Sequence, residues 1–273
     1  MRYFVGLGAQ KCGTSWLHHQ LGLHPQVAVP QPKELHYFDG VHRPRAGPRF
    51  GTHFVPSLRA SAERVREGGT TRADARRVDA AADWLDFVMR GDHAYRARLR
   101  RHADEHTVVA GEITPSYSTL GDEGFAAIGP ALEQPRAIFL MRDPLARYWS
   151  AVKFAVKDRG DPAEVFAEHW RLPTVQVRGD YRTTLELIDR HLPADDVLVL
   201  FYEDLVGEEG LRRVASFLGV DEVWDWELTA KPLATARTPM PDVTPELAAE
   251  LRPQYEYVRD RFGAAVPARW AGV

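Results

Sequence analysis

The chain has 273 residues, of which 44% are hydrophobic and 27% charged, enough for one large α/β domain with a substantial core. The net charge of −3 (35 basic against 38 acidic residues) gives no overall attraction to nucleic acid or an anionic membrane, and the single cysteine, Cys12, excludes a disulfide framework and a multi-cysteine zinc site. No apolar run approaches the roughly 20 residues of a membrane span and no leader precedes the first predicted strand, so the expected location is the cytoplasm.

The first 21 residues predict a strand, a tight loop and a helix. Residues 3–7 form a short apolar run, and Gly13 opens a segment in which Trp16, Leu17 and Leu21 have helical spacing. Backbone N–H groups at a helix N-terminus lack partners and carry the positive end of the helix dipole. We therefore expect the loop to bind a phosphate.

Residues 8–15, GAQKCGTS, have the glycine spacing of a nucleotide triphosphatase loop, GxxxxGK[ST], but the lysine is displaced. Position 14, where the nucleotide-binding lysine would stand, is Thr14, and the lysine lies inside the loop at Lys11. We expect Lys11 to approach the ligand near the bond that breaks, while Thr14 and Ser15 contact the fixed phosphate. Cys12 is near a helix start, which predicts a lowered pKa, but we interpret it as a small loop residue and not as a nucleophile.

The next segments combine an unusual loop with a variable region. Residues 27–29 predict a short strand, and residues 33–39, KELHYFD, interleave charged and aromatic side chains too densely for an ordinary surface loop. Residues 42–106 are rich in arginine and small residues, with helices expected near 60–67, 80–89 and 95–102. We interpret this region as an insertion packed over the main sheet.

Apolar strands then alternate with helices. Strands are predicted at 107–110, 137–141 and 197–201, and helices at 145–157, 163–170, 181–191, 210–218 and 245–262. This alternation is typical of a doubly wound parallel sheet with right-handed crossovers. Ligands of such sheets bind beyond the carboxyl ends of the strands, where the loops after Leu7, Ala110, Met141 and Phe201 would converge.

A second anion motif follows the predicted strand at 137–141. Arg142 stands at the strand's carboxyl end, and Ser150 lies about two helical turns along the next helix. A guanidinium and a hydroxyl can therefore converge on one phosphate, with Arg142 able to bind two of its oxygens.

Several stretches together resemble the sulfotransferases that use 3′-phosphoadenosine 5′-phosphosulfate (PAPS), in particular the branch of heparan sulfate and other carbohydrate sulfotransferases and their bacterial relatives. Residues 11–15 match the K-x-G-T-[ST] loop of that family, and residues 142–150 match R-[DN]-P-x-x-R-x-x-S at Arg142, Asp143, Pro144, Arg147 and Ser150. Residues 33–38 are similar to K-E-x-x-[FY]-F, and residues 111–117 to G-E-K-T-P-x-Y. The proline-rich residues 231–241 occupy the place of the loop that closes over the nucleotide.

The resemblance implies an α/β fold, a P-loop-like three-layer sandwich with a central parallel sheet flanked by helices. It implies a single domain over 1–273, with the insertion at about 42–106 on the acceptor side. The residues implied to bind the nucleotide include Gly13, Thr14, Ser15 and Trp16, with Trp16 beside the adenine. Arg142 and Ser150 are implied to bind the 3′-phosphate. Arg237 is the candidate for a second ligand there, and Lys231 is a weaker one.

The same resemblance implies in-line displacement at sulfur, with adenosine 3′,5′-bisphosphate as the leaving product and no metal. Lys11 would stabilise the bridging oxygen, and Glu34 would act as general base. His36, two residues further on, would share a face with Glu34 on an extended backbone and is the alternative base. Ile113 replaces the lysine that carbohydrate enzymes carry after Gly-Glu, which argues against a polyanionic glycan acceptor.

The acceptor is expected to be a small molecule, a glycan or a natural product. Its pocket is predicted to involve Trp84, Phe87, Tyr95, Tyr37, Phe38, Trp149 and Phe154, with Phe87 and Phe154 more typical of core. Two other functions stay open at this point. Residues 197–204, VLVLFYED, are similar to the Mg²⁺-binding strand of a P-loop kinase, although Thr14 argues against one. A nucleotide-binding module without catalysis is disfavoured by Glu34.

Overall fold

The computed structural model describes residues 1–31, 33–47, 60–69, 71–156, 160–222, 238–270 and 272. Its strands are β1 (Arg2–Gly8), β2 (Val27–Ala28), β3 (Val109–Ile113), β4 (Arg136–Met141) and β5 (Val197–Phe201). They form one parallel sheet in the order β2-β3-β1-β4-β5. The predicted α/β fold with a central parallel sheet is confirmed.

The helices that flank the sheet are α1 (Thr14–Leu23), α2 (Tyr37–Val41), α3 (residues 60–66), α4 (Arg72–Leu99), α5 (Asp122–Ala131), α6 (Pro144–Val156), α7 (Pro162–Phe166), α8 (Pro173–Gly179), α9 (Tyr181–His191), α10 (Tyr202–Leu205), α11 (Glu208–Leu218) and α12 (Pro245–Phe262). Short 3₁₀ turns include Pro115–Thr119 and His169–Arg171. Within the described ranges, no helix combines the length and apolar character needed to cross a membrane.

The central strands are continuous apolar runs because both faces of the sheet are covered by helices. Every residue of β1 after Arg2 is buried, and so is every residue of β4 after Arg136. In the register of the sheet, Val5 pairs with both Glu112 of β3 and Ala137 of β4. The carboxyl ends of these three strands therefore meet at one edge, where the predicted ligand loops begin.

The observed elements differ from the predicted ones in several places, among them the short helices α2 and α10, which were not predicted. Strand β3 begins two residues later than predicted and continues through Glu112, so this acid belongs to the buried sheet. Helices α5 and α8 were not predicted. Gly124, Gly129 and Pro130 are poor helix formers that weaken the local signal of α5, which tertiary packing then overrides.

The part of the predicted insertion that the structure describes contains α3 and α4. Helix α4 begins with a capping box between Thr71 and Asp74, and Gly91 breaks its regular geometry with φ 56° and ψ −141°. The two helices predicted near 80–89 and 95–102 are thus segments of one element that meet at Gly91. The second segment joins the sheet because the Tyr95 hydroxyl donates a 2.8 Å hydrogen bond to Glu112.

An aromatic cluster fixes the insertion against the residues that follow β2. Tyr95 stacks on Tyr37 with ring centroids 4.3 Å apart, and Phe38, Phe87 and Tyr117 pack edge-on around this pair. All five rings are buried. The prediction that Phe87 is core is confirmed, and the prediction that Tyr37, Phe38 and Tyr95 shape an acceptor pocket is wrong because packing among these rings leaves them almost no exposed surface.

Candidate active site

The loop between β1 and α1 presents the N-terminus of α1. Gly13 is its N-cap, with φ 90°, a left-handed conformation that glycine adopts without steric cost. Among the described residues, no side chain accepts a hydrogen bond at this cap. Thr14 is buried and Ser15 is exposed in the first turn. The first-turn N–H groups of α1 therefore have the arrangement that suits an anion.

Lys11 connects this loop to the second anion motif. Its carbonyl accepts a 3.3 Å hydrogen bond from Nη1 of Arg142, although the two residues are far apart in sequence. Its Nζ lies 4.2 Å from the ring centroid of Phe154 on α6. Phe154 is 49% exposed, so the prediction that it belongs to the core is wrong. The structure thus brings together the two motifs that the sequence predicted separately.

Arg142 directly follows β4 and is half-buried. The Tyr181 hydroxyl accepts a 3.1 Å hydrogen bond from the backbone N–H of Arg142 and lies 2.7 Å from its carbonyl. The guanidinium lies over the Tyr202 ring, 4.6 Å from its centroid. Its Nε is buried and has no hydrogen-bond partner among the described residues. Because such orphaned donors are rare in proteins, this one fits a phosphate oxygen, and Ser150 stands further along α6, half-buried.

Cys12 is fully buried in the loop, with Sγ 3.6 Å from the Tyr181 hydroxyl. Burial raises the pKa of its thiol to about 11, although the hydrogen bond with Tyr181 and the charges of Arg147 and Arg142 act in the opposite direction. The predicted lowering of the Cys12 pKa is therefore wrong, because desolvation outweighs the helix terminus. The interpretation of Cys12 as a small loop residue agrees with its packing.

Of the three other predicted nucleotide ligands, the structure describes only Trp16. Trp16 is 4% exposed, and its Nε1 is buried without a hydrogen-bond partner in the described part of the chain. Its proposed contact with adenine stays a prediction. Arg237 and Lys231 lie outside the described residues.

Residues 33–39 form a polar cluster beside the sheet edge. Glu34 forms an ion pair with Lys33 and lies 3.6 Å from Nε2 of His36. Nδ1 of His36 lies 2.9 Å from Oδ2 of Asp39, and the same oxygen accepts a 2.6 Å hydrogen bond from Ser116. His36 is therefore held between two carboxylates.

We predicted an extended backbone for this cluster, but the structure shows that it is not extended. Glu34 has φ 70° and His36 has φ 54°, both in the left-handed region. The two side chains meet because of these turns and not because alternate residues of a strand share a face. Strained backbone of this kind is common at functional sites.

The pKa values of Glu34 and His36 are shifted in opposite directions. Burial alone would raise the pKa of Glu34, but the hydrogen bond from His36 and the charge of Lys33 outweigh it and lower the pKa to about 2. Burial alone would lower the pKa of His36, but its hydrogen bonds to Asp39 and Glu34 raise the pKa to about 9. At neutral pH, Glu34 is a carboxylate and His36 an imidazolium.

Glu112 supports this cluster from the sheet. It is fully buried, and one carboxylate oxygen accepts hydrogen bonds from Leu35 N–H, at 3.0 Å, and the Thr114 hydroxyl. The other oxygen accepts hydrogen bonds from the hydroxyls of Tyr95 and Tyr117. With four hydrogen-bond donors on its buried carboxylate, Glu112 has no lone pair left to take a proton from an acceptor substrate. Glu112 is therefore a structural residue that holds the Glu34 segment in place.

Sequence reasoning missed the partners that build the site. Asp39 had a detectable signal, since it follows His36 by three residues at the start of a short helix. Tyr181, Tyr202 and Ser116 had none, because they approach the site from other parts of the chain. In the described ranges, no group of three or more His, Cys, Asp or Glu side chains has the arrangement of a metal site.

A parallel α/β sheet whose first loop offers a helix N-terminus and a lysine, with an arginine at the end of the neighbouring strand, is the arrangement of a group-transfer enzyme of P-loop-like fold. The profile of the sulfotransferase family matches residues 4–225. The chain belongs to the sulfotransferase family, and its activity is sulfuryl transfer.

Two solved structures show the same fold. A sulfotransferase from Alicyclobacillus acidocaldarius is 20% identical, with 99% of this chain and 98% of that chain covered and a TM-score of 0.62. The sulfotransferase domain of the olefin synthase of Synechococcus PCC 7002 is 21% identical, with 86% of this chain and 78% of that chain covered and a TM-score of 0.51. Comparison with curated proteins found no match. Family membership favours sulfuryl transfer over the kinase alternative.

Proposed function

We propose that the enzyme uses PAPS as sulfuryl donor and a hydroxyl or amine of a small-molecule, glycan or natural-product acceptor. The observation that carries this proposal is the hydrogen bond from Arg142 to the carbonyl of Lys11, which unites two anion motifs in one site. A donor with phosphates at both the 3′ and 5′ positions needs two such anchors. PAPS carries phosphates at both positions, whereas a nucleoside monophosphate carries a phosphate at only one.

The residues present fit the donor. The uncapped N-terminus of α1, with Thr14 and Ser15, would hold the 5′-phosphosulfate. The orphaned Nε of Arg142, together with Ser150, would hold the 3′-phosphate. When bound, PAPS supplies a sulfuryl group on a good leaving group. The chain's own residues then position it and neutralise charge.

In the proposed transfer, the acceptor oxygen or nitrogen forms a bond to sulfur while the bond from sulfur to the 5′-phosphate oxygen breaks. Adenosine 3′,5′-bisphosphate leaves with the electron pair of that bond. Lys11, within the loop, would stabilise the charge that develops on the bridging oxygen. The acceptor's proton passes to the Glu34 carboxylate.

The electrostatics of the polar cluster favour Glu34 over His36 as the base. Hydrogen bonds to Asp39 and Glu34 raise the pKa of His36 to about 9, so at neutral pH it holds a proton and can donate but not accept. With its pKa lowered to about 2, Glu34 is ionised but weakly basic. It would remove the proton only once attack on sulfur has made the acceptor acidic.

The exposed ring of Phe154 is the part of the predicted aromatic set best placed to meet an acceptor. It is 49% exposed and lies over the Lys11 ammonium, whereas Tyr37, Phe38 and Tyr95 are buried. Ile113 is also buried, at 1% exposure. It supplies no charge for a polyanionic glycan, which supports a smaller or less charged acceptor.

Isothermal calorimetry with adenosine 3′,5′-bisphosphate, with 5′-AMP as comparison, tests the proposal. We expect strong preference for the bisphosphate in the wild type and loss of that preference in Arg142→Ala. Arg182→Ala, which removes an exposed arginine paired with Glu186, is the matched control and should bind like the wild type. Equal affinity for both nucleotides, or Mg²⁺-dependent binding of ATP alone, would overturn the donor assignment.

Glu34→Gln tests the base. Turnover with PAPS and a model acceptor should fall by about 10²–10⁴, the contribution typical of a general base. Bisphosphate affinity should stay unchanged, because Glu34 does not contact the nucleotide in this proposal. Undiminished turnover in the variant would move the base elsewhere.

A further inference from the structure

A small cavity lies between α6, α8, α12 and the 3₁₀ turn His169–Arg171, with a volume of about 40 Å³. Its wall includes Arg147 from α6, Gly179 from α8 and Glu250 from α12. None of the residues proposed to hold the nucleotide lines this cavity. The cavity shares helix α6 with the candidate active site, and the charge of Arg147 also acts on the Cys12 thiol of the loop.

Arg147 places a positive charge in this wall. The residue is 3% exposed, and its Nε and Nη1 are buried without hydrogen-bond partners among the described residues. No carboxylate in the described ranges forms an ion pair with it. A buried guanidinium without a counter-ion is strongly unfavourable, since desolvation of the charge is not offset by attraction. The charge therefore calls for an anion.

The guanidinium is directed along the cavity wall by Gly179. A side-chain carbon at position 179 would lie 2.4 Å from Nη2 of Arg147, so the guanidinium occupies this position because residue 179 is glycine, and with another residue there it would have to shift. The neighbouring charges strengthen the positive field. Burial and the charge of Arg147 lower the pKa of Arg178, although Asp39 and Glu34 act in the opposite direction.

Three of the other polar residues in the wall have partners elsewhere, whereas Gln176 is exposed. The Tyr148 hydroxyl donates to the Phe166 carbonyl, and Trp170 Nε1 donates to the Ala167 carbonyl at 2.9 Å. Gln254 accepts a 2.9 Å hydrogen bond from the Tyr181 N–H. Glu250 is an exposed residue of the wall. None of these groups forms a hydrogen bond or ion pair with Arg147 in the described part of the chain, which leaves room for a ligand from solution.

We propose that this cavity binds a small monovalent inorganic anion, of halide size, held by the Arg147 guanidinium. A water molecule needs roughly 10–15 Å³ of such volume. The cavity, at about 40 Å³, accommodates a halide with one or two waters. The carboxylate of Glu250 in the same wall disfavours a multiply charged anion.

Crystals of the wild-type protein grown in sodium bromide, without nucleotide, test the proposal directly through anomalous scattering. We expect a bromide peak in contact with the Arg147 guanidinium. A cavity that contains only water, or a Glu250 side chain turned inward against Arg147, would overturn the proposal. A bromide peak that disappears on addition of adenosine 3′,5′-bisphosphate would also overturn it, because Arg147 would then belong to the nucleotide site.

Thermal unfolding in solution gives an independent readout. At constant ionic strength, replacement of gluconate by bromide should raise the melting temperature of the wild type in a saturable manner, as expected for binding to the native state. The shift should be absent in Arg147→Met and retained in Arg182→Met. An equal shift in all three proteins would reveal a general salt effect and overturn the proposal.

If Arg147→Met does not fold, Arg147→Lys and the bromide crystals of the wild type decide the question. Neither experiment uses PAPS or an acceptor. A negative result here would leave the binding of adenosine 3′,5′-bisphosphate at Arg142 untouched, so failure of the halide site and failure of the proposed donor are distinguishable.

Discussion

Nε2 of His36 lies 3.6 Å from Oε2 of Glu34, and the opposite ring nitrogen of His36 lies 2.9 Å from Asp39. One imidazolium thus joins the proposed base to a buried aspartate that Ser116 also contacts. The arrangement fixes the orientation of His36 and keeps Glu34 ionised. It resembles the histidine of a catalytic triad in its geometry, but the histidine here carries the positive charge at neutral pH.

The charge of His36 should appear as pH-dependent stability. Because hydrogen bonds to Asp39 and Glu34 raise the pKa of His36 to about 9, above the value near 6.5 of an unfolded chain, the native state retains its proton longer. The stabilisation is complete below pH 6.5 and is lost as the pH rises towards 9. Between pH 6 and pH 9.5, the free energy of unfolding measured with urea should fall less for His36→Asn than for the wild type.

His19→Asn is the matched control for that series, since His19 is exposed on α1. Its loss of stability between the two pH values should equal that of the wild type. An identical pH dependence in His36→Asn and the wild type would contradict the assigned charge of His36.

Loss of Lys11 should slow the transfer step. Lys11→Ala should lower turnover by about 10²–10³, the effect of one transition-state donor, with little change in affinity for adenosine 3′,5′-bisphosphate. Phe154→Leu removes only the ring 4.2 Å from the ammonium. A cation–π contact at an exposed site contributes about 0.5–1 kcal/mol, so this variant should lose no more than about fivefold. An unchanged rate in Lys11→Ala would remove Lys11 from the mechanism.

Glu112 should prove structural. Glu112→Gln replaces one acceptor oxygen by an amide donor that faces either hydroxyls or the Leu35 N–H, and the free energy of unfolding should fall by about 1–3 kcal/mol. Denaturant unfolding measures this change. Glu105→Gln, at an exposed position, should stay within about 0.5 kcal/mol of the wild type. Full stability of Glu112→Gln would show that the hydrogen bonds to Glu112 do not hold the Glu34 segment.

Cys12 should react slowly in the native protein. Burial raises the pKa of its thiol to about 11, so at pH 8 little thiolate forms and the sulfur is inaccessible. Because Cys12 is the only cysteine, alkylation by iodoacetamide followed by mass spectrometry reports on it alone. We expect no modification of the native protein and complete modification in urea. Rapid labelling under native conditions would contradict the buried loop.

Local motifs carried most of what could be predicted. The strand, loop and helix around Lys11 and Gly13 follow from short-range patterns, and so do the arginine after β4 and helices α9 and α12. The errors in the predicted elements also had local causes. Helix α5 contains glycine and proline, which weaken its helical pattern. The predicted bounds of β3 were displaced because a glutamate in the sequence indicates the end of a buried strand, whereas Glu112 is buried within this one.

The sequence by itself determined the fold class, the two anion motifs and the acid near them, because each depends on residues that are close in the chain. Tertiary structure decided which of these residues meet. The Arg142 contact with the Lys11 carbonyl and the four donors on Glu112 join segments from separate strands and helices. Burial, too, is a tertiary property. It makes Cys12 inert, places aromatic rings in the core and leaves two nitrogens of Arg147 without a hydrogen-bond partner among the described residues, because desolvation depends on everything that packs around a group.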